Sequence, residues 1–486
     1  MLKKLALTGV LLTIFVFSFR PITDNDLWWH LRTGSYIIEN HKIPNSDFYS
    51  YTNYGKEWID HEWLAQVIFF FVYHEFGAIG LVLAKSIFVV STFYLLYLRS
   101  RLHMGGFFSI ITLYVAASLS WNMWLERPMI FTFFFVSLLL YLLDLYDKDV
   151  SDKLFIIPPL IIVWANLHGG FILGILIMIT YFISYWIAGE KTKTKRLLFI
   201  IGISLLASAI NPQTYRLLLY PIQYSYQNVH SLFILEWQSP IFHTPSIFEF
   251  MLLGLIFIFA KSRPTNLHIL LALIFVHLSL FAIRNIFLFA LVVTPILLMY
   301  VEKYLVRAFE GRDHGAGFNT NTLEKFFDKM ALPQDIKRGL LRRFLPAFLY
   351  AIVILAFVIP FYNYLQFGPA FDTSPRGFPE EAVEYLLTEK PKGNLFNLYG
   401  WGGYVIWKAY PEYRVFIDGR ADMYDEFIYE YLNVYRLKPT WKETLDRYDV
   451  KIILIHSGDQ LDILLEETSE WRVGYRDELA VIYIRD

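Results

Sequence analysis

Hydrophobic and polar positions in this chain alternate on the scale of whole segments. Long apolar runs, each closed by charge or by turn residues, fill most of the sequence up to residue 360. One helix needs roughly 20 apolar residues to cross a bilayer, and the pattern predicts about eleven such spans. They fall at 2–20, 81–98, 107–120, 129–143, 154–164, 171–187, 197–210, 247–260, 267–283, 286–300 and 344–360. The segment 63–76 is shorter and carries Gln66, His74 and Glu75, so it is expected to lie along the membrane surface. From 371 onward the apolar runs shorten and turn residues appear. Short buried strands are predicted at 394–397, 404–407, 414–417, 451–455 and 480–484, with helices at 379–387, 426–437, 441–448 and 461–467. The fold class is therefore a polytopic α-helical membrane protein over 1–366, carrying an α/β domain over 371–486.

Charge orients this layout. Lys3 and Lys4 precede the first run and are expected to hold its start in the cytoplasm. No small-residue cleavage site follows, so the run reads as an uncleaved first helix. If 63–76 does not cross, Arg99 and Arg101, Lys148 and Lys153, the Lys191–Arg196 cluster, Lys261 and Arg263, and the basic stretch 303–343 all face the cytoplasm. The loop 21–62, the loop 211–245 and the α/β domain then lie outside. Composition agrees: 56% of residues are hydrophobic and 19% aromatic, well above a soluble average. A net charge of −1 gives a nucleic-acid partner no electrostatic support. The absence of cysteine excludes disulfides, thiol nucleophiles and thiolate metal sites.

The densest polar chemistry sits in the loop 21–62. Asp24 and Asp26 are spaced i, i+2, which puts both carboxylates on one side of an extended segment. That suits a shared Mg²⁺ or Mn²⁺, or one general base beside one metal ligand; the alternative is that Asp24 caps the following helix. Trp28 and Trp29 suit interface anchors or sugar platforms, with His30 beside them. Asp60-His61-Glu62 offers a metal or phosphate ligand, or a helix cap with acids in the first turn. Glu126 opens a span next to Arg127, either as a ligand or as half of a solvated pair. His168 stands in a tight turn before Gly169 and Gly170, which allow close backbone approach. Arg284 lies between two apolar runs, where an arginine is costly and is paired or functional; its fork suits a phosphate. Arg216 and Glu236 are further candidates in the loop 211–245. Asp418 and Arg420 flank Gly419 at a strand end, as a site edge or as an internal salt-bridge knot.

This order of features resembles the GT-C superfamily of membrane glycosyltransferases. The resemblance rests on Asp24-Asn25-Asp26 after the first span, an aromatic juxtamembrane helix over 27–40 leading to Ile43-Pro44, and a second one ending at Phe76-Gly77. Glu126 in the second external loop and the final α/β domain complete it. Within that domain the run 397–424, NLYGWGGYVIWKAYPEYRVFIDGRADMY, resembles the WWDYG region of oligosaccharyltransferase catalytic subunits, except that Gly402 and Gly403 stand where an Asp is expected beside Tyr404. The span layout is nearer the bacterial lipid-linked sugar transferases. The resemblance implies a polyprenyl-phosphate sugar donor and a glycan, lipid or protein acceptor, with Asp24, Asp26 and Glu126 as catalytic or metal-binding acids. Arg284, His61 and Arg216 would then hold the donor phosphate. Trp28, Trp29, His30, Glu62, His168, Glu236, Asp418 and Arg420 would line the substrate. Two rivals stand beside this reading: a transporter for a lipid-linked sugar, which calls for charged residues in mid-span, and a non-catalytic glycan-binding membrane protein.

Overall fold

The computed structural model describes residues 2–225, 233–309 and 372–485; the expected span 344–360 and most of the stretch 303–343 lie outside them. The apolar runs are helices. In order they are α1 (Leu2–Ser18), α2 (Leu27–Asn40), α3 (Trp63–Arg101), α4 (Gly106–Ser120), α5 (Met129–Asp147), α6 (Ile157–Leu167), α7 (Phe171–Ile187), α8 (Lys191–Ser208) and α9 (Arg216–Ser225). Three more follow, Ile247–Lys261, Asn266–Phe281 and Ile286–Phe309. Among the described residues four helical stretches are long and apolar enough to cross a membrane: Trp63–Arg101, Gly106–Met123, Met129–Asp147 and Ile283–Arg307. Large apolar side chains on the outer surface, such as Leu206 at 76% and Ile256 at 68% exposure, belong in lipid rather than water.

The long α3 is two helices. Gly77 sits at φ 63° and ψ −161°, a conformation closed to residues with a Cβ, and the axis kinks there. The expected break after Phe76 is therefore real. The first segment of α3 packs on α2 at Gly34, where any Cβ would overlap the Gln66 carbonyl. Inside the helical part, charge is neutralised in pairs. Lys85 Nζ donates to Glu126 at 2.6 Å, and Arg99 Nε donates to Asp144 at 2.8 Å. His103 and Tyr181 also reach Asp144.

The C-terminal part holds a four-stranded sheet in the order β1-β2-β4-β3, formed by β1 (Asn394–Asn397), β2 (Val450–His456), β3 (Trp471–Arg476) and β4 (Ala480–Arg485). β1 and β2 are parallel; the other pairs are antiparallel. Two expected strands are corrected. The run 404–407 lies in a helix, Gly402–Ala409, because a short apolar run fits a buried helix as well as a strand. The run 414–417 pairs with no strand; Val415 makes a single bridge to Ser50. β3 was not expected, since three of its six residues are exposed and its pattern is blurred by a register shift near Gly474.

The loop between α2 and α3 is stitched to this C-terminal part. Val415 N–H donates to the Tyr49 carbonyl at 3.1 Å, and Tyr51 N–H donates back to Val415 at 3.2 Å. Thr52 donates to the Phe416 carbonyl at 2.7 Å. Residues far apart in sequence thus close over one end of the helical bundle, where the polar residues of the loop 21–62 gather.

Candidate active site

The chain leaves α1 and turns into α2 through Asp24-Asn25-Asp26. Asp24 Oδ1 accepts the Asp26 backbone N–H at 2.7 Å, a local turn of the Asx kind. Asp24 therefore does not cap α2; the cap position is Asp26, whose side chain makes no capping bond. The other Asp24 oxygen accepts from Arg127 Nε. The same guanidinium lies 3.4 Å from Asp26 Oδ2 and donates to both Glu236 oxygens at 3.1 Å. One arginine so holds three carboxylates.

These acids differ in kind. The Asp24 side chain is fully buried, whereas that of Asp26 is 21% exposed. Burial pushes the Asp26 carboxyl up to about 7; Arg127 pulls against it, and Asp24 and Glu236 add to the rise. A carboxyl poised near neutrality with an open face is what a general base requires. Burial alone would raise Glu236, but Arg127 and then Arg284 hold it below its usual range.

Glu126 points elsewhere. With Lys85 it lines a small apolar cleft walled by Phe69, Leu81, Phe88 and Phe131. Asp24, Asp26 and Glu126 are accordingly committed to Arg127 and Lys85, and as they stand they do not fit a divalent ion. Among the described residues no group of three or more His, Asp or Glu side chains is spaced to hold one.

A second cluster surrounds Glu62, whose side chain is 13% exposed. Its carboxyl oxygens lie 3.5 Å from His168 Nε2, 3.7 Å from His61 Nε2 and 3.8 Å from His30 Nε2. Burial, reinforced by Asp422, raises Glu62 to about 8 despite Arg284 and Arg127. Burial likewise holds His30 and His168 well below the usual histidine range, so both rings are neutral. Asp60 is raised to about 7 by burial and accepts from Gln66 at 2.7 Å.

The glycines of the 397–424 run explain how the C-terminal part meets the acids. A Cβ on Gly419 would overlap Asp26 Oδ1, one on Gly403 would come within 2.6 Å of the Asn25 carbonyl, and one on Gly400 within 2.9 Å of Asn25 Nδ2. These glycines seat the sheet-bearing part on Asn25 and Asp26. Gly419→Ala is expected to displace the Asp26 carboxylate and lower turnover on the order of 10²-fold, with helix content by circular dichroism unchanged. Full turnover in that variant would show that the contact does not position Asp26.

Asp418 and Arg420, expected to line substrate, instead form an internal knot. Arg420 donates to Asp418 at 2.7 and 2.9 Å and to Asp47 at 2.9 Å, and Tyr424 donates to Asp418 at 2.6 Å. The guanidinium lies 4.7 Å from the Trp58 ring centre and 5.1 Å from that of Tyr49, with no exposure. Trp28 is also walled in, 1% exposed against Tyr73, Phe378 and Tyr404. Trp29 lies against His30 with ring centres 3.6 Å apart and the planes tilted by 35°. Arg216 pairs with Glu57 at 2.8 Å on the surface. Arg284 is half-buried with its guanidinium 4.4 Å from the Trp237 ring centre, and it makes no ion pair among the described residues.

The structure therefore brings Asp24, Asp26, Glu236, His30, His61, Glu62, His168 and Arg284 together; Glu126 adjoins Asp24 but pairs with Lys85, and Arg216, Asp418 and Arg420 are engaged in pairs of their own. Sequence reasoning missed Arg127 as the hub and Lys85 as the partner of Glu126. Lys85 left a signal, as a lone charge inside an apolar run.

The chain is a helical bundle with an apolar outer surface, carrying a small sheet over a cluster of acids, histidines and arginines. No protein-family model matches the chain, and no curated protein does. Solved structures do. The archaeal oligosaccharyltransferase AglB from Archaeoglobus fulgidus, in complex with an inhibitory peptide and a dolichol-phosphate, is similar with TM-score 0.63 and 11% identity over 100% of this chain and 74% of that one. The Archaeoglobus fulgidus enzyme with Zn and sulfate gives 0.55 and 12% over 98% and 73%. ArnT from Cupriavidus metallidurans bound to undecaprenyl phosphate gives 0.50 and 13% over 98% and 97%. The likeness is one of fold: this chain shares the fold of these solved structures.

Proposed function

We propose that the chain is a glycosyltransferase that moves a sugar from a polyprenyl-phosphate carrier to a hydroxyl of a glycan, lipid or protein acceptor, on the outer side of the membrane. The observation that carries this reading is Asp26: a half-buried carboxyl tuned to about 7, in a cluster whose Glu236 also feels Arg284, an arginine in no ion pair among the described residues. In this reading the acceptor hydroxyl attacks the anomeric carbon and Asp26 takes its proton. Negative charge gathers on the departing carrier phosphate and is met by Arg284, with His61 at its side. Attack opposite the leaving phosphate inverts the anomeric centre. Arg127 holds Asp24, Asp26 and Glu236 in place and acts by positioning. No step is routed through a metal, because the acids that would hold one are engaged by Arg127 and Lys85.

The transporter rival is disfavoured by the pairing of buried charges within the helices, Lys85 with Glu126 and Arg99 with Asp144. The direct test is incubation of purified protein with a lipid extract containing polyprenyl-phosphate sugars. Release of free polyprenyl phosphate, matched by a newly glycosylated product, is expected. Movement of intact sugar-lipid across sealed vesicles without cleavage would establish the transporter instead.

A further inference from the structure

We propose that Arg420 is a positioning residue for the base: locked between Asp418 and Asp47, it holds the turn whose Gly419 backs the Asp26 carboxylate, and so sets where that carboxylate points. The inference rests on the transferase reading with Asp26 as base and adds a residue role to it.

The turn is fixed from within. Arg420 folds back on Asp418, its backbone N–H and its Nε both donating to Oδ1 at 2.9 Å and a terminal guanidinium nitrogen donating to Oδ2 at 2.7 Å. The Tyr424 hydroxyl donates to the same Oδ2 at 2.6 Å. Gly419 stands between the two bonded residues. Its carbonyl accepts from the Ala421 N–H at 2.8 Å and from the Tyr399 hydroxyl at 3.3 Å. The chain just before the turn lies against the helix Gly402–Ala409, where a Cβ on Gly402 would overlap the Ile417 carbonyl and come within 2.6 Å of Asp418 Cα.

The turn is also tied to the loop 21–62. The guanidinium nitrogen that reaches Asp418 Oδ2 donates as well to Asp47 Oδ1 at 2.9 Å. Asp47 is itself held, its Oδ1 accepting the Tyr49 N–H at 3.0 Å and its Oδ2 accepting from the Ser50 hydroxyl. The side chains of Arg420, Asp418 and Asp47 have no exposure. Burying an arginine with two carboxylates costs desolvation that hydrocarbon of the same volume would avoid, so such a group is a weak stabiliser. What it supplies is registry: bonds of fixed direction that join loop and turn at one place.

Gly419, at the middle of this turn, touches Asp26. A Cβ on it would overlap Asp26 Oδ1 and come within 3.0 Å of Asp26 Cγ; the hydrogen that glycine carries there instead points at the carboxylate. Trp29 Nε1 lies 3.5 Å from the same point. Arg127 lies 3.4 Å from the other oxygen, Oδ2. The carboxylate is therefore set between the turn on one oxygen and a guanidinium on the other. If the turn slackens, the first support goes, and Arg127 is left to draw Asp26 toward Asp24 and Glu236, the other acids it holds. A base displaced by a fraction of an ångström loses its line to the acceptor proton.

The test is a mutant cycle on donor turnover by the full chain in lipid, with kcat and KM measured separately and donor-binding stoichiometry counting the folded fraction. Tyr424→Phe removes one bond from Asp418 and leaves every charge in place. It is expected to lower kcat about 10-fold at unchanged KM, part of the roughly 10²-fold that a misplacement of about 1 Å costs. Arg420→Lys keeps the charge but loses the fork, and is expected to lower kcat by about 10²-fold. Combined with Asp26→Asn, either change is expected to have almost no further effect, because the group it positions is gone. Equal factors with and without Asp26→Asn, or full kcat in both single variants, would overturn the positioning role and leave the transferase reading standing. Absence of donor cleavage by wild type would overturn both.

Discussion

Asp26→Asn is expected to lower sugar transfer by about 10³-fold while leaving the chain folded and able to bind its donor. General base catalysis contributes roughly 10²–10⁴-fold, and no other carboxyl in the cluster stands ready to replace this one. Asp24 is fully buried on Arg127, and Glu236 is held in its ionised form by Arg127 and Arg284, which makes it a weak base. Folding should not suffer. Because the Asp26 pKa in the folded chain is raised, ionising it costs stability, and that cost grows as pH climbs from the unfolded value toward about 7. Asparagine removes it, so the variant should melt at or above the wild-type temperature at pH 8, with little difference at pH 4. A loss of melting temperature at pH 8 together with the loss of transfer would mark Asp26 as structural.

Arg127→Met is expected to damage both stability and turnover. Removing the guanidinium leaves Asp24, Asp26 and Glu236 facing one another with no shared cation. Breaking a buried pair by deleting one partner costs about 3–5 kcal/mol, and the partial exposure of Arg127, 23%, places the effect toward the lower end. Arg127→Lys separates charge from geometry. A lysine keeps the positive charge but cannot bridge three carboxylates as a planar fork does. It should restore part of the stability and shift the acidic limb of the rate profile upward, since Arg127 opposes the rise of Asp26. Denaturation in detergent and the pH–rate profile read the two effects apart. Normal melting and turnover in Arg127→Met would remove the hub from the account.

Much of the architecture was legible in the pattern of apolar runs, down to the break after Phe76, which Gly77 makes by adopting a backbone that other residues avoid. Asn394–Asn397, Val450–His456 and Ala480–Arg485 are strands as expected. The run 404–407 was misread because four consecutive apolar residues have no period to separate helix from strand. Within the site, Asp26, Glu62 and His168 stood out as polar residues beside membrane-length runs. Their division of labour was invisible, because it depends on partners distant in sequence. Arg127 meets Asp24 across 103 positions, and Arg420 meets Asp47 across 373. Arg420 looked like a site-edge cation for the same reason: nothing near it in sequence reveals that Tyr49 and Trp58 cover it.

The most direct test of Asp26 as the base is a structure of the chain with a donor analogue whose glycosidic oxygen is replaced by a methylene, so that the sugar stays on its carrier. The anomeric carbon is expected within reach of Asp26, with room for an acceptor oxygen about 3–3.5 Å away. The analogue's phosphonate is expected against Arg284 and His61. An analogue bound with its sugar away from Asp26, or with its phosphonate on the far side of the bundle from Arg284, would contradict it.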